Sequence, residues 1–229
     1  MIFLLFIFLI IILFFIWFNI RYENFDNKKD WSKHFTNYKE AYVFGKGPTF
    51  KVIKKKDPNT LFVCINDSVN HIPDCDILVT NDIETFEKIN KKKLANVKYI
   101  LIPYSPHFQE KPHANITYHH IFKQIKHFFK GQFIVYNLST SPKKPQYIDL
   151  KTAITGSNNG VEFILQFIPS VKTIQLYGVG VLRNGYADQF YNHQSNEKNA
   201  KQYKDKKIKM IKNNIIEQCD KKKVICHFH

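Results

Sequence analysis

Seven short apolar runs constrain this chain most: residues 41–44, 61–65, 77–80, 99–102, 133–136, 173–176 and 224–226. Within them apolar residues mostly follow one another instead of alternating with polar ones. A strand with one face in water alternates, whereas a strand covered on both faces does not. The runs therefore predict strands of a parallel sheet with layers on both sides. The stretches between them carry helical periodicity. Residues 83–91 follow Asn81 and Asp82, a candidate N-cap pair. Residues 115–130 are amphipathic and stop before Gly131. Residues 160–167 open a stripe of Val161, Ile164, Leu165 and Ile168, and the Lys-rich 197–219 aligns Ile208, Ile211, Ile215 and Ile216. Alternating β and α elements predict an α/β fold with an open, mostly parallel sheet and helices on both faces, Rossmann-like in its order.

Ahead of this pattern, Met1 to Phe18 holds no polar or charged residue, and Ile20 continues the run. About 20 such residues span a hydrocarbon core. Without a basic start or a small-residue cleavage site, the segment reads as a single-pass transmembrane anchor over 1–20, with a signal peptide as the alternative. A polar stem is expected over 21–40 and one domain over 41–229. Arg21, Lys28 and Lys29 follow the span, mixed with Glu23, Asp26 and Asp30, so the flanking charge leaves the orientation open between the cytoplasm and an endomembrane lumen. Glycosylation sequons begin at Asn66, Asn115 and Asn137, at a density that chance supplies in an Asn-rich chain.

The formal charge is +15, much of it in lysine runs at 54–56, 91–93 and 221–223. Solvated lysine faces explain these, and attraction to anionic partners is the functional alternative. No arginine-rich or other nucleic-acid motif accompanies them, so no nucleic-acid partner is expected. Cys64, Cys75, Cys219 and Cys226 follow no zinc or Cys-x-x-Cys spacing, and no metal site is expected.

Polar clusters sit directly after the predicted strands, where an open α/β sheet binds its ligands. The first is the turn Gly45-Lys46-Gly47-Pro48-Thr49, whose glycines would leave backbone N–H groups open to a phosphate. Asn66-Asp67-Ser68 and Thr80-Asn81-Asp82 follow the next two strands. A Gly/Ser/Asn-rich segment, Gly156-Ser157-Asn158-Asn159-Gly160, opens a helix. Tyr177-Gly178-Val179-Gly180 leads into a long aromatic loop with Tyr186, Tyr191 and His193. Taken singly, each Asn is a good turn former or helix cap. The first four of these clusters, along one sheet edge, point to a shared crevice.

The order of these clusters resembles the sialyltransferase-type glycosyltransferases, closest to the bacterial type, over residues 42–228. Each motif is short, and the likeness lies in their order and spacing. The resemblance implies transfer of a sugar from a CMP-sugar donor to a glycan hydroxyl, with inversion and without metal or other cofactor. It assigns the donor site to Gly45, Lys46, Gly47, Thr49, Asn66, Asn81, Ser157, Asn158, Asn159, Gly160, Tyr186 and Tyr191, and the general base to His193. Two positions depart from the family pattern. Lys46 stands where relatives usually have Asn, and Gly180 where they usually have an acidic residue. Two other readings stay open. A pterin diphosphokinase-like enzyme would use Mg-ATP and draw on Asp67, Asp82 and Glu84. A basic, membrane-anchored binding protein would keep the fold without catalysis. The acceptor and the oligomeric state are not legible.

Overall fold

The structure, a computed structural model, describes residues 7–8, 10–13, 30–108, 111–112, 116–138, 143–150, 155–179, 187, 190 and 205–229. Eight parallel strands form one open sheet in the order β10-β9-β1-β2-β3-β4-β7-β8. They are β1 (Glu40–Phe44), β2 (Thr60–Ile65), β3 (Ile77–Val79), β4 (Tyr99–Pro103), β7 (Gln132–Asn137), β8 (Ile148–Asp149), β9 (Thr173–Tyr177) and β10 (Ile225–Phe228). A separate two-residue antiparallel pair joins β5 (His107–Phe108) and β6 (Lys111–Pro112). All seven apolar runs fall on strands; β2 and β3 are buried throughout, whereas β9 and the outermost β10 alternate. Every residue of β2 is buried. Its Leu61, Val63 and Ile65 enter the core on one face, and Phe62 and Cys64 enter the core on the other.

Helices cover both faces. α4 (Gly156–Phe167) and α5 (Asp205–Lys221) pack on the first face through Val161, Phe163, Ile164, Ile211 and Ile215. α1 (Thr85–Lys88), α2 (Lys91–Leu94) and α3 (Tyr118–Ile125) cover the second through Phe86, Leu94, Ile121 and Ile125. The single helix expected over 83–91 is instead broken in two. Asn70 causes the break: its amide donates to the Lys88 carbonyl at 3.0 Å, and its Oδ1 accepts from the Asn90 N–H at 2.8 Å. Asn90 then caps α2, accepting from the Lys92 N–H at 3.0 Å. Asn81 and Asp82 do not cap a helix either, since Asp82 bridges to His107.

Part of the segment expected as a stem belongs to the fold. Trp31 and Phe35 are buried against Tyr99, and Phe35 also meets Phe163 edge-on. At the amino ends of β2 and β4, Asp76 is buried as a junction. Its carboxylate accepts the Phe62 N–H at 2.8 Å and pairs with Lys56 and, at 2.9 Å, with Lys98. Among the described residues no helix is long and apolar enough to cross a membrane. Residues 7, 8 and 10–13 are helical, and the rest of 1–29 lies outside the described residues.

Candidate functional site

The strand order reverses at β1, which lies between β2 and β9. From there the chain runs outward through β2, β3, β4, β7 and β8, then returns to add β9 and β10 on the other side. In open α/β sheets such a reversal opens a crevice beyond the carboxyl ends. Here the two turns at the reversal are hydrogen-bonded to each other. The Gly45 N–H donates to the Tyr177 carbonyl and the Gly47 N–H to the Gly178 carbonyl, both at 2.8 Å. The Gly178 N–H donates to Thr49 Oγ1 at 3.0 Å. The glycine N–H groups expected to face a phosphate are therefore engaged inside the fold. The glycines permit this contact: a Cβ on Gly45 would overlap the Gly178 carbonyl oxygen, and Gly178 itself has φ +65°.

Lys46 turns toward the neighbouring strand end. Its ammonium lies 2.9 Å from Oδ1 of Asp67, and both side chains are largely buried. Asp67 directly follows Asn66, which adopts the left-handed conformation at φ 55°. Asn66 Oδ1 is buried with no hydrogen-bond partner among the described residues.

α4 begins over the ends of β2 and β3. A Cβ on Gly156 would lie 3.2 Å from Ile65 Cγ2 and 4.0 Å from the Val79 carbonyl. Thr155 caps the helix, its Oγ1 accepting from the Asn158 N–H at 3.3 Å. The positive end of the α4 dipole thus points to the same edge as Asn66 and Asn81. Beneath the first turn lies a buried polar triad. Asn159 Nδ2 donates to Asn81 Oδ1 at 3.1 Å and to the Tyr136 hydroxyl at 2.8 Å, and that hydroxyl donates to Asn81 Oδ1. Burial pushes the Tyr136 phenol well above its ordinary pKa, so it stays protonated and donates. Asn159 Oδ1 is left as a buried acceptor without a partner among the described residues, although the residue is 0% exposed. Such groups are rare in folded proteins.

The expected donor residues therefore divide. Asn81 and Asn159 meet, and Asn66 and Ser157 share their edge. Asn158 faces the other way, its Nδ2 donating to Asn214 Oδ1 at 3.0 Å and to the Ile211 carbonyl at 3.4 Å on α5. Gly160 lies on the sheet-packing face, 3.4–3.5 Å from Ile65, Val79 and Val63 when a Cβ is added. Asn158 and Gly160 thus serve packing. Tyr186, Tyr191, His193 and Gly180 lie outside the described residues. Their described neighbours hold to the β1 turn: the Ala187 N–H donates to the Lys46 carbonyl at 2.9 Å, and Phe190 packs edge-on against Phe50 and His71.

Two residues at this edge escape the sequence pattern. Tyr136 belongs to an apolar strand run, and its hydroxyl at the strand's end is the only signal of a polar role. His107 lies with Nδ1 3.8 Å from Asp82 Oδ1. Of the carboxylates that a metal-dependent reaction would draw on, Asp67 pairs with Lys46, and Asp82 Oδ1 lies 3.8 Å from His107 Nδ1. Among the described residues no three His, Cys, Asp or Glu side chains converge as a metal site. The sequon at Asn137 is built into the fold: its amide nitrogen donates to the Lys144 and Tyr147 carbonyls and to Asp149.

Comparison of the chain with protein-family models, with curated proteins and with solved structures gave no match.

Proposed function

We propose that the protein is a membrane-anchored glycosyltransferase of the sialyltransferase type, using a CMP-sugar without a metal. The observation that carries this reading is the carboxyl edge of β2 and β3. There Asn81 and Asn159 are hydrogen-bonded beneath the α4 N-terminus, Asn66 directly follows β2, and the amide oxygens of Asn66 and Asn159 have no partner among the described residues. A nucleoside monophosphate complements that edge. Its phosphate suits a helix N-terminus, and the buried Asn81–Asn159 contact holds that terminus over the edge. The sequence adds His193, Tyr186 and Tyr191 through the family resemblance. In the proposed reaction His193 takes the proton of the acceptor hydroxyl as that oxygen attacks the anomeric carbon. The bond to the phosphate breaks, and the tyrosine hydroxyls donate to the leaving phosphate. General-base help of this kind contributes about 10²–10⁴-fold. The apolar run 1–20 anchors the domain to a membrane.

The test is thermal stabilisation of the full chain in detergent by CMP, UDP, GDP and ATP, with and without Mg²⁺. Stabilisation by CMP that does not depend on Mg²⁺ is the expected outcome. At a ligand concentration near 100 times Kd it would reach about 2.7 kcal/mol. A shift with Mg-ATP and none with CMP overturns the proposal. His193→Ala should then abolish transfer and leave the CMP shift intact.

A second reading is favoured by the engagement of the Gly45 and Gly47 N–H groups within the fold. In it the protein binds a nucleotide or an anionic glycan without turning it over. CMP stabilisation without consumption of any CMP-sugar would support this reading over the first.

A further inference from the structure

The strands of the large sheet all run the same way, so their amino ends form one edge, opposite the candidate site. Lysines gather along it. Lys39 stands immediately before β1, Lys98 before β4 and Lys172 before β9; Lys130 closely precedes β7, and Lys222 and Lys223 lie in the turn into β10. Each of these is exposed. Backbone bonds set them on neighbouring strand ends. The Ile225 N–H donates to the Lys172 carbonyl at 2.9 Å, the Lys172 N–H to the Lys39 carbonyl at 2.8 Å, and the Gln132 N–H to the Lys98 carbonyl at 2.9 Å. With adjacent strands about 4.8 Å apart, these side chains make a band and not scattered points of charge. Asp57, Asp74 and Asp220 are exposed on the same edge, and the buried Asp76 is matched by Lys56 as well as Lys98. Lysine remains in excess.

Two large apolar side chains interrupt the band. Phe128, just beyond α3, is 43% exposed, and Ile225, the first residue of β10, is 59% exposed. The chain also enters the fold here. Trp31, in the helical turn Trp31–His34, meets edge-on the ring of Tyr99, the first residue of β4. Ser170 Oγ, just ahead of β9, donates to the Phe35 carbonyl at 3.2 Å. Residues 21–29 separate the apolar run 1–20 from Asp30, a tether of at most about 30 Å.

We propose that the amino edge of the sheet docks on a bilayer surface rich in anionic lipid. The lysine ammonium groups meet lipid phosphates, and Phe128 and Ile225 enter the headgroup boundary, as mixed basic and apolar surfaces do. The anchor keeps the domain close, and the edge sets how it sits. Docked this way, the carboxyl edge with Asn66, Asn81 and Asn159 faces away from the membrane. The inference rests on the reading of residues 1–20 as an anchor and not on the glycosyltransferase reading. Each lysine near an anionic surface favours the docked state about fivefold, and the attraction fades within a Debye length. A nucleic acid also offers phosphates, but the exposed apolar side chains and the point of chain entry favour the bilayer.

The test reconstitutes the full chain into vesicles of phosphatidylcholine alone, or of equal parts phosphatidylcholine and phosphatidylglycerol. After flotation, lysines are acetylated by a membrane-impermeant reagent and mapped by mass spectrometry. Lys51 and Lys143, exposed near the carboxyl ends of β1 and β7, are the internal controls. At about 0.1 M salt, acetylation of Lys39, Lys130, Lys172 and Lys222 should slow by about threefold or more in the anionic vesicles, while Lys51 and Lys143 do not change. At about 1 M salt the difference should vanish. The triple variant Lys39→Glu, Lys130→Glu, Lys222→Glu should lose the protection of Lys172. Equal acetylation in the two vesicles, or equal slowing at Lys51 and Lys143, overturns the proposal. Protection by RNA added to the neutral vesicles, in place of protection by phosphatidylglycerol, overturns it too. Failure of the anchor is read separately, as failure to float with neutral vesicles. Flotation with anionic vesicles alone, with the same lysines protected, then upholds the edge and removes the anchor. Flotation with neither overturns both.

Discussion

The side-chain amide of Asn159 donates to Asn81 Oδ1 across 3.1 Å, tying the first turn of α4 to the end of β3. The Tyr136 hydroxyl closes the triangle from β7. Three elements far apart in the chain are thus held by one buried polar network, and buried networks stabilise only when their members stay paired.

Tyr136→Phe removes the hydroxyl and nothing else. It leaves the Asn159 amide with one acceptor fewer and Asn81 Oδ1 with one donor fewer. A loss of about 1–3 kcal/mol is expected from stranding buried polar groups. Urea denaturation of the two proteins measures it.

Asn158 and Asn159 are adjacent and should behave differently. Asn158→Ala breaks the tie to Asn214 and Ile211 on α5, at a cost of about 1–3 kcal/mol, while CMP binding persists. Asn159→Ala should also lower stability and, because Asn159 ties the α4 N-terminus to the end of β3, in addition reduce the CMP-induced rise in Tm. Paired melting curves with and without CMP separate the two effects.

Gly45→Ala and Gly160→Ala should change stability in opposite directions. The first pushes a methyl into the Gly178 backbone and should cost about 1–3 kcal/mol. The second adds a methyl at ordinary contact distance inside α4, where Ala is favoured over Gly by about 0.5–1 kcal/mol. Denaturant midpoints give both signs.

His71 gives the folded state a dependence on acid. Burial, reinforced by Lys93, holds its imidazole below the ordinary value of 6.5, although Asp67 opposes the shift. In the unfolded chain it protonates near that ordinary value. As the pH falls below about 6.5 the unfolded state therefore takes up the proton first, and this part of the stability is lost until the folded imidazole titrates too. Unfolding free energy measured from pH 8 to 5 should fall over that window. His71→Gln should flatten the curve.

Asp76 gathers Lys56, Lys98 and the Phe62 N–H at the amino edge of the sheet. Asp76→Ala strands Lys56 at a largely buried position and should cost about 3–5 kcal/mol. Asp76→Asn keeps a bond to the Phe62 N–H and should cost less. Thermal unfolding ranks the three proteins.

The strands are legible because burial on both faces leaves a local mark: β2 is a row of apolar residues led by one Thr. The division at residues 89–90 is not legible, because its cause, Asn70, lies 20 residues earlier in sequence and acts only once the chain has turned back. The same limit applies at the edge of the sheet. Gly45-Lys46-Gly47 marks a close backbone approach equally well whether the visitor is a phosphate or the Gly178 peptide. The local pattern does not distinguish the two, since the second depends on a turn more than 130 residues later. Asn158 and Asn159 are likewise identical in composition and separated only by the roughly 100° that one residue turns in a helix.

The place of β1 between β2 and β9 also has a consequence during synthesis. β1 is made early, and its second neighbour is made roughly 130 residues later. At roughly 5–20 residues per second, one edge of the central strand waits about 6–25 s for its partner. The ladder of Ala41, Val43 and Phe44, fully buried in the finished sheet, stays open along that edge through the interval. A nascent chain with such an edge is a natural client for chaperones, and its yield should depend on how quickly the last quarter of the polypeptide emerges.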